Sequence, residues 1–305
     1  MSLPQETRQI SAQTLNNRFV DMLHRGMNKE AAEAGTPLIR EIVRQDSVAR
    51  KILSLEDITP TDLDPQLDSD QPVKYMEVEP QSEASAVQLY GTPRTQFYTM
   101  RRVPVYIGKV QSDEFTKNRV ELMTIRSDVR KLLADNSSKD MSDQEDIGLR
   151  RTALMAVMRN AAVQRTSAPR LNGTSFANAV RSVLDRRRAV GKIVLAASRL
   201  TDIIDLPATA VGNDIATQTF REGVEKCDAL WGTPLVQTIK SDIYLPTEAW
   251  LFAPENYLGK FYQLIPPTLY VEQQAEIIKF YVYEYVGMGL ALGEGIQQIT
   301  FGERS

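Results

Sequence analysis

The sequence predicts an α+β protein, and three observations carry that prediction. Apolar residues recur at helical spacing over residues 11–54 and again through the middle of the chain. Residues 72–110 are instead rich in β-branched and aromatic side chains bounded by prolines. The last third returns to strand patterns, with strict alternation in "IIKFYVYEYV".

Taken in order, two amphipathic helices are expected first, over 11–33 and 37–54, separated at "EAGTP". Leu15, Phe19, Met22 and Leu23 form the stripe of one; Leu38, Ile39, Ile42, Val43, Ala49, Ile52 and Leu53 form that of the other. Pro37 falls in its first turn, where a missing N–H costs nothing. Residues 55–72 are acidic and proline-spaced, an extended connector. Its Asp62, Asp64, Asp68 and Asp70 lack the glycine and the terminal glutamate of a calcium loop, so a turn-rich linker is the reading.

Two strands joined by a turn then make a ribbon. "VKYMEVEP" and "SAVQLY" lead to the turn "GTP", and "TQFYTMRRVPVYIGKV" follows. Arg94, Arg101, Arg102 and Lys109 sit among Phe97, Tyr98, Val103, Val105, Tyr106 and Ile107. A lone two-stranded ribbon is marginal in water, so this one is expected to lie across something, and Pro104 marks part of it as an edge.

After a possible strand at 115–125, Ser127 caps a turn, "DVRKLLADN". Asp140, Asp143, Glu145 and Asp146 read as the first turn of a separate helix, where carboxylates favour the dipole; Ile147, Leu154, Met155, Met158 and Ala162 continue it. A helix after "NGTS" places Phe176, Ala179, Val180, Val183 and Leu184 on one face and Arg186, Arg187 and Arg188 toward its C-terminal end. A strand "KIVLAAS", a helix "DIATQTFREGVEKC" and further strands follow. In the last of these Ile278, Phe280, Val282 and Val286 alternate with Lys279, Tyr281, Tyr283 and Tyr285. Glycines 287, 289, 293 and 295 raise the question of a phosphate cradle. Leu292 stands where a dinucleotide fingerprint needs its third glycine and little chain follows, so they read as bends that let a sheet end and return.

The inventory narrows the chemistry. One histidine, His24, lies on an amphipathic helix, and one cysteine, Cys227, is far from it in sequence; no G-x-S-x-G or P-loop occurs. Zinc sites want several Cys or His ligands at short spacing, which this chain lacks. No cofactor, metal or catalytic residue is therefore expected. A net charge of -3 and a pI near 5.5 argue against a dedicated nucleic-acid binder. With no apolar run near the roughly 18 residues of a membrane span and no secretory leader pattern, the expectation is a cytosolic site of synthesis and no membrane partner.

Several segments resemble a known family. "PLIREIVRQDSVARKILSLEDIT" followed by "VKYMEVEP", then "RRVPVYIGKVQSDEFTKNRVELMTIRSDVRKLLADNSSKDM", is similar to the major capsid proteins of tailed bacteriophages. "SDIYLPTEAWLFAPENYLGKFYQL" and "YEYVGMGLALGEGIQQITF" resemble the final sheet region of the same proteins. The resemblance implies the Hong Kong 97-like capsid fold. It implies an N-terminal arm at 1–71, an extended β-hairpin loop over a neighbouring subunit at 72–110, and a mainly peninsular domain with a spine helix at 111–190. Residues 191–305 would be mainly the axial domain, with return strands to the peninsular domain near the C-terminus.

It further implies hexamers and pentamers in an icosahedral phage head around double-stranded DNA, with portal, scaffolding and possible decoration proteins as partners. The candidates for contact between subunits are Arg94, Phe97, Tyr98, Arg101, Arg102, Tyr106, Leu38 and Ile42. Some relatives begin with a cleavable scaffolding segment of about a hundred residues; the chain has no room for one, and a separate scaffolding protein is the expectation. Lys109 and Asn118 are not marked as a cross-linking pair. Three other readings stand beside this one: a cellular nanocompartment shell of the same fold, an enzyme using the carboxylates of Asp140–Asp146, and a DNA-binding regulator using residues 175–188.

Overall fold

The structure is a computed structural model and describes residues 12–65, 70–78, 86–87, 91, 101–124, 129–204, 229–230 and 232–302. The elements run α1 (Ala12–His24), α2 (Asn28–Asp46), α3 (Val48–Ile52), β1 (Ser54–Asp57), β2 (Val73–Val78), β3 (Arg101–Tyr106), β4 (Gly108–Gln111), β5 (Phe115–Asn118) and α4 (Arg119–Thr124). Then come α5 (Val129–Met158), α6 (Ala161–Gln164), β6 (Arg165–Ala168), α7 (Gly173–Asp185), β7 (Lys192–Ala196), α8 (Ala197–Ile204), β8 (Ala229–Leu230) and β9 (Thr233–Thr238). Last are β10 (Glu248–Phe252), α9 (Glu255–Leu258), β11 (Gly259–Gln274), β12 (Ile277–Leu290) and β13 (Ile296–Phe301). The chain divides into two compact units: Met1–Ser47 with Lys109–Asp146 and Gln263–Val286, and Val48–Gly108 with Ile147–Tyr262 and Gly287–Ser305.

In the first unit, α1, α2, α4 and the start of α5 pack on one face of the β11–β12 hairpin. Phe19, Leu23, Ile39, Val43, Leu133, Met141, Leu269, Ile278, Phe280 and Val282 belong to a single buried cluster. The helices are held closely: a Cβ on Gly35 would lie 2.7 Å from Leu269 Cδ2, so glycine lets α2 approach β11 without displacing that side chain. Arg40 Nε donates to the Pro267 carbonyl at 3.0 Å, and the Leu269 N–H to Thr36 Oγ1 at 3.3 Å. β5 extends the sheet beside β12, in antiparallel register from Ile277↔Asn118 to Phe280↔Phe115. Ser112 ties the β4–β5 connection to β12, its N–H donating to Val282 O and its hydroxyl accepting from the Val282 N–H.

The second unit is built on a six-stranded sheet of order β6-β13-β10-β7-β9-β8. β6 pairs parallel with β13 and β7 with β9, while β10 is antiparallel to both its neighbours. One face carries Ile193, Leu195, Ala249, Leu251, Ile299 and Phe301 under Phe176 and Ala179 of α7. Every residue of β10 is buried, as expected of a central strand covered on both sides. Asn172 and Ser175 close a capping box at the start of α7, which is why the helix begins at "NGTS".

Several expectations are corrected. Residues 12–52 hold three helices where two were expected over 11–54, and Pro37 lies inside α2, which begins at Asn28. Thr36 Oγ1 donates to the Ala32 carbonyl and packing on β11 holds the turn through the proline. The connector after Leu55 contains β1 and a short 3-10 turn at Pro60–Asp62. The short turn and separate helix expected across Ser127–Asp146 are one helix, α5, of 30 residues. Asn136, Ser137 and Ser138 resemble a cap, but nothing from Val129 to Met158 is a proline, and packing of Val129, Leu133, Ala134 and Met141 in the apolar cluster outweighs the weak helix preference of the polar run. Residues 115–125, expected as a strand, are β5 followed by α4. The strand "SAVQLY" and the helix "DIATQTFREGVEKC" lie largely or wholly outside the described residues.

Candidate assembly surfaces

The ribbon is present, and its root explains two of the C-terminal glycines. β2 and β3 pair antiparallel from Val73↔Tyr106 to Val78↔Arg101. Val73, Met76 and Val105 are buried, while Arg101, Arg102, Pro104 and Tyr106 are exposed, Tyr106 at 52%. The buried side rests on β12. A Cβ on Gly289 would stand 2.5 Å from Val105 Cγ2 and 3.2 Å from Met76 Cε; one on Gly287 would stand 2.8 Å from the Tyr106 carbonyl oxygen. Gly287 and Gly289 are thus a flat seat inside a continuous strand, where bends were expected; only Gly293 and Gly295 sit in a turn.

The free edge of β2 is secured by the preceding segment. Asp64 donates its N–H to Val73 O and accepts the Tyr75 N–H on its carboxylate, and Lys74 Nζ reaches the Asp62 carbonyl. Asp62 in turn closes a capping box with Thr59. Hydrogen bonds from the Thr59 side chain and backbone N–H, with Lys74 nearby, hold its carboxyl below the ordinary range.

The sequence-derived candidates fall in three places. Arg101 is exposed on β3 opposite Val78. Arg102 faces Glu77 across the ribbon and pairs with it at 3.1 Å. Arg94, Phe97 and Tyr98 lie outside the described residues. Leu38 and Ile42 are half-buried against the core of their own unit.

A surface that the sequence reading passed over lies on β12. Its alternation was recognised, but the spacing gives no sign that the tyrosines meet. Tyr270 of β11 stands 4.9 Å from Tyr281 by ring centroids, Tyr281 lies 6.2 Å from Tyr283, and Tyr283 lies 6.4 Å from Tyr285, edge to face. Lys109 Nζ sits 5.8 Å and 5.5 Å from the centroids of Tyr281 and Tyr283. Burial, then Tyr270, Glu272, Tyr283 and Glu114, push the Tyr281 hydroxyl above its ordinary value.

The carboxylates weighed as catalytic are placed differently. Glu145 and Asp146 have no exposed surface, which removes them from a substrate's reach. Burial, then Asp113 and Asp143, raise the Asp140 carboxyl. No group of three or more metal-ligating side chains occurs among the described residues. The arginine run is mostly engaged within the chain. Arg186 donates to Ser182 O, Ile296 O and Gln297 Oε1, so it satisfies one carbonyl at the end of α7 and ties that end to β13. Arg188 pairs with Glu294 at 3.6 Å. No helix of the described residues is long and apolar enough to cross a membrane.

The rooted ribbon, the long helix α5, the paired long strands and the six-stranded sheet make up an α+β fold of the Hong Kong 97-like capsid class. Solved structures of that class match most of the chain. A structure of Mycobacterium phage Bobi has a TM-score of 0.61 at 10% identity, over 85% of this chain and 91% of that one. The virus-like particle from Pyrococcus furiosus gives 0.58 at 11% identity, over 88% and 99%. The asymmetric unit of the bacteriophage PhiM1 mature capsid gives 0.59 at 7% identity, over 85% and 88%. The chain therefore has the fold of tailed-phage capsid proteins. No family model and no curated protein matches it.

Proposed function

We propose that this protein is the repeating subunit of an icosahedral phage head, assembled as hexamers and pentamers around double-stranded DNA. The observation that carries the reading is the seated ribbon, a two-stranded element with Met76 and Val105 of one face packed on its own β12 and exposed Arg102, Pro104 and Tyr106 left on the other side. A ribbon of that kind gains little by itself in water and much by lying on a neighbour. Likeness to capsid structures over more than four-fifths of the chain supports it.

In this reading residues 1–71 are the arm, 72–110 the extended loop, 111–190 mainly the peninsular domain and 191–305 mainly the axial domain. Work is done by self-association, and no catalytic residue takes part. Portal, scaffolding and decoration proteins are the further partners, and the virion is the place of residence, after assembly in the host cytoplasm. The mildly negative net charge keeps packaged DNA from adhering to the wall.

A second reading has a specific observation in its favour, since 99% of the Pyrococcus furiosus virus-like particle chain is covered. A nanocompartment shell would enclose protein cargo. Nuclease treatment of virions purified from infected cells, identified by peptides of this chain, separates the two. Protected double-stranded DNA inside shells of this chain supports the phage head. Shells of this chain that hold protein and no nuclease-resistant DNA would overturn it.

A further inference from the structure

The tyrosine face of β12 has the chemistry of a docking site. Ile278, Phe280, Val282, Glu284 and Val286 are buried on one side of the strand, which leaves Lys279, Tyr281, Tyr283 and Tyr285 on the other. With Tyr270, at 42% exposure, the three tyrosines form a row of four contacting rings. Aromatic faces carry negative potential and attract cations, and Lys109 already stands over the two middle rings. Tyr270 and Tyr285 have no such cation among the described residues. The charges on the elements that meet here are Lys109 on β4, Glu114 in the β4–β5 connection, Lys279 on β12 and Glu272 on β11. Carboxylate and open ring come together at the Tyr270 end, where Glu272 is two residues along the same strand. That end suits a planar guanidinium, which can stack on a ring and bond a carboxylate at once.

We infer that the Tyr270–Tyr281–Glu272 end of this face receives an arginine of a second copy of the chain, Arg101 of its ribbon. Arg101 is exposed, has no ion pair among the described residues, and is carried on an extended strand able to lie along a row of rings, whereas Arg102 is held by Glu77. The inference rests on the shell reading and adds to it the receiving surface.

Charge reversal tests it on the full chain, with the assembled fraction measured by light scattering. Arg101→Glu and Glu272→Arg are each expected to weaken association about tenfold per contact, the size of one cation–π and charge-assisted contact. The double variant is expected to regain part of the loss, because the ion pair is re-formed with its signs exchanged while the stacking of Arg101 on Tyr270 is not. Single variants that assemble as wild type does overturn the inference, as does a double variant no better than the worse single. If the variants assemble normally but shed another protein from the particle, the face belongs to that protein and the inference is wrong. A wild-type chain that never assembles overturns the shell reading as well, which the variants alone cannot do.

Discussion

The carbonyl oxygen of Tyr106 lies 2.8 Å from the position that a Cβ on Gly287 would occupy. Ribbon and strand approach here at backbone distance, so the aim of the ribbon is set by the absence of a side chain. Gly287 has no left-handed backbone to explain it; close approach is the whole reason for glycine.

Gly287→Ala is therefore expected to destabilise by about 1–3 kcal/mol, the usual cost of overpacking. The neighbour there is a carbonyl and cannot rotate away, so hydrogen exchange of β2 and β3 is expected to rise as well. Gly289→Ala meets side chains, Val105 first, and adding Val105→Ala is expected to cost less than the two single changes summed. Denaturant unfolding measures all three.

A second prediction concerns Glu248, which is buried and accepts from Arg150 Nε at 2.8 Å and from Gln298 Nε2 at 2.9 Å. Arg150→Met leaves that carboxylate without its cation and is expected to cost about 3 kcal/mol. The exposed Glu77–Arg102 pair is the control: Arg102→Met is expected to cost less than about 1 kcal/mol. Equal losses at the two sites would refute the assignment.

Asp140 gives a pH dependence with a defined sign. Its carboxyl is raised in the folded chain by burial and by the Asp113 and Asp143 charges, so the folded state holds this proton more tightly than the unfolded one. It follows that ionised Asp140 opposes folding at neutral pH and that the penalty fades as pH falls through the carboxylate range. Asp140→Asn keeps an acceptor for the Asp113 N–H and removes the charge. Melting temperatures should rise in this variant at pH 7, with a gain that shrinks on acidification; a gain that grows would contradict the placement.

Tyr262 carries a prediction at the alkaline end. Burial, reinforced by Glu56 and Asp64, pushes its hydroxyl up to about 12. Phenolate absorbance should show a late tyrosine that Tyr262→Phe removes, while ordinary tyrosines ionise near 10.

Much of this architecture was legible in the sequence because local patterns and tertiary demands agree. Val73–Val78 and Arg101–Tyr106 carry valines and tyrosines that favour strands, and "NGTS" caps α7 as its residue types require. Where local chemistry and burial disagree, reading failed. The polar run "ADNSSKDMSDQED" looks like a break between helices, and it is the middle of α5 with Glu145 and Asp146 fully buried. Period-2 spacing gave the exposed side of β12, but the meeting of Tyr281 with Tyr270 depends on hairpin register, which spacing alone does not fix. The seat at Gly287 and Gly289 was out of reach for the same reason: its partners, Met76, Val105 and Tyr106, are nearly two hundred residues away in sequence.

Whether this chain works by binding copies of itself is tested most directly by the mass of the purified protein in light scattering, alone and with a scaffolding protein. Masses of capsomers or whole shells are expected in at least one of these samples. A strict monomer or dimer in both would contradict self-association.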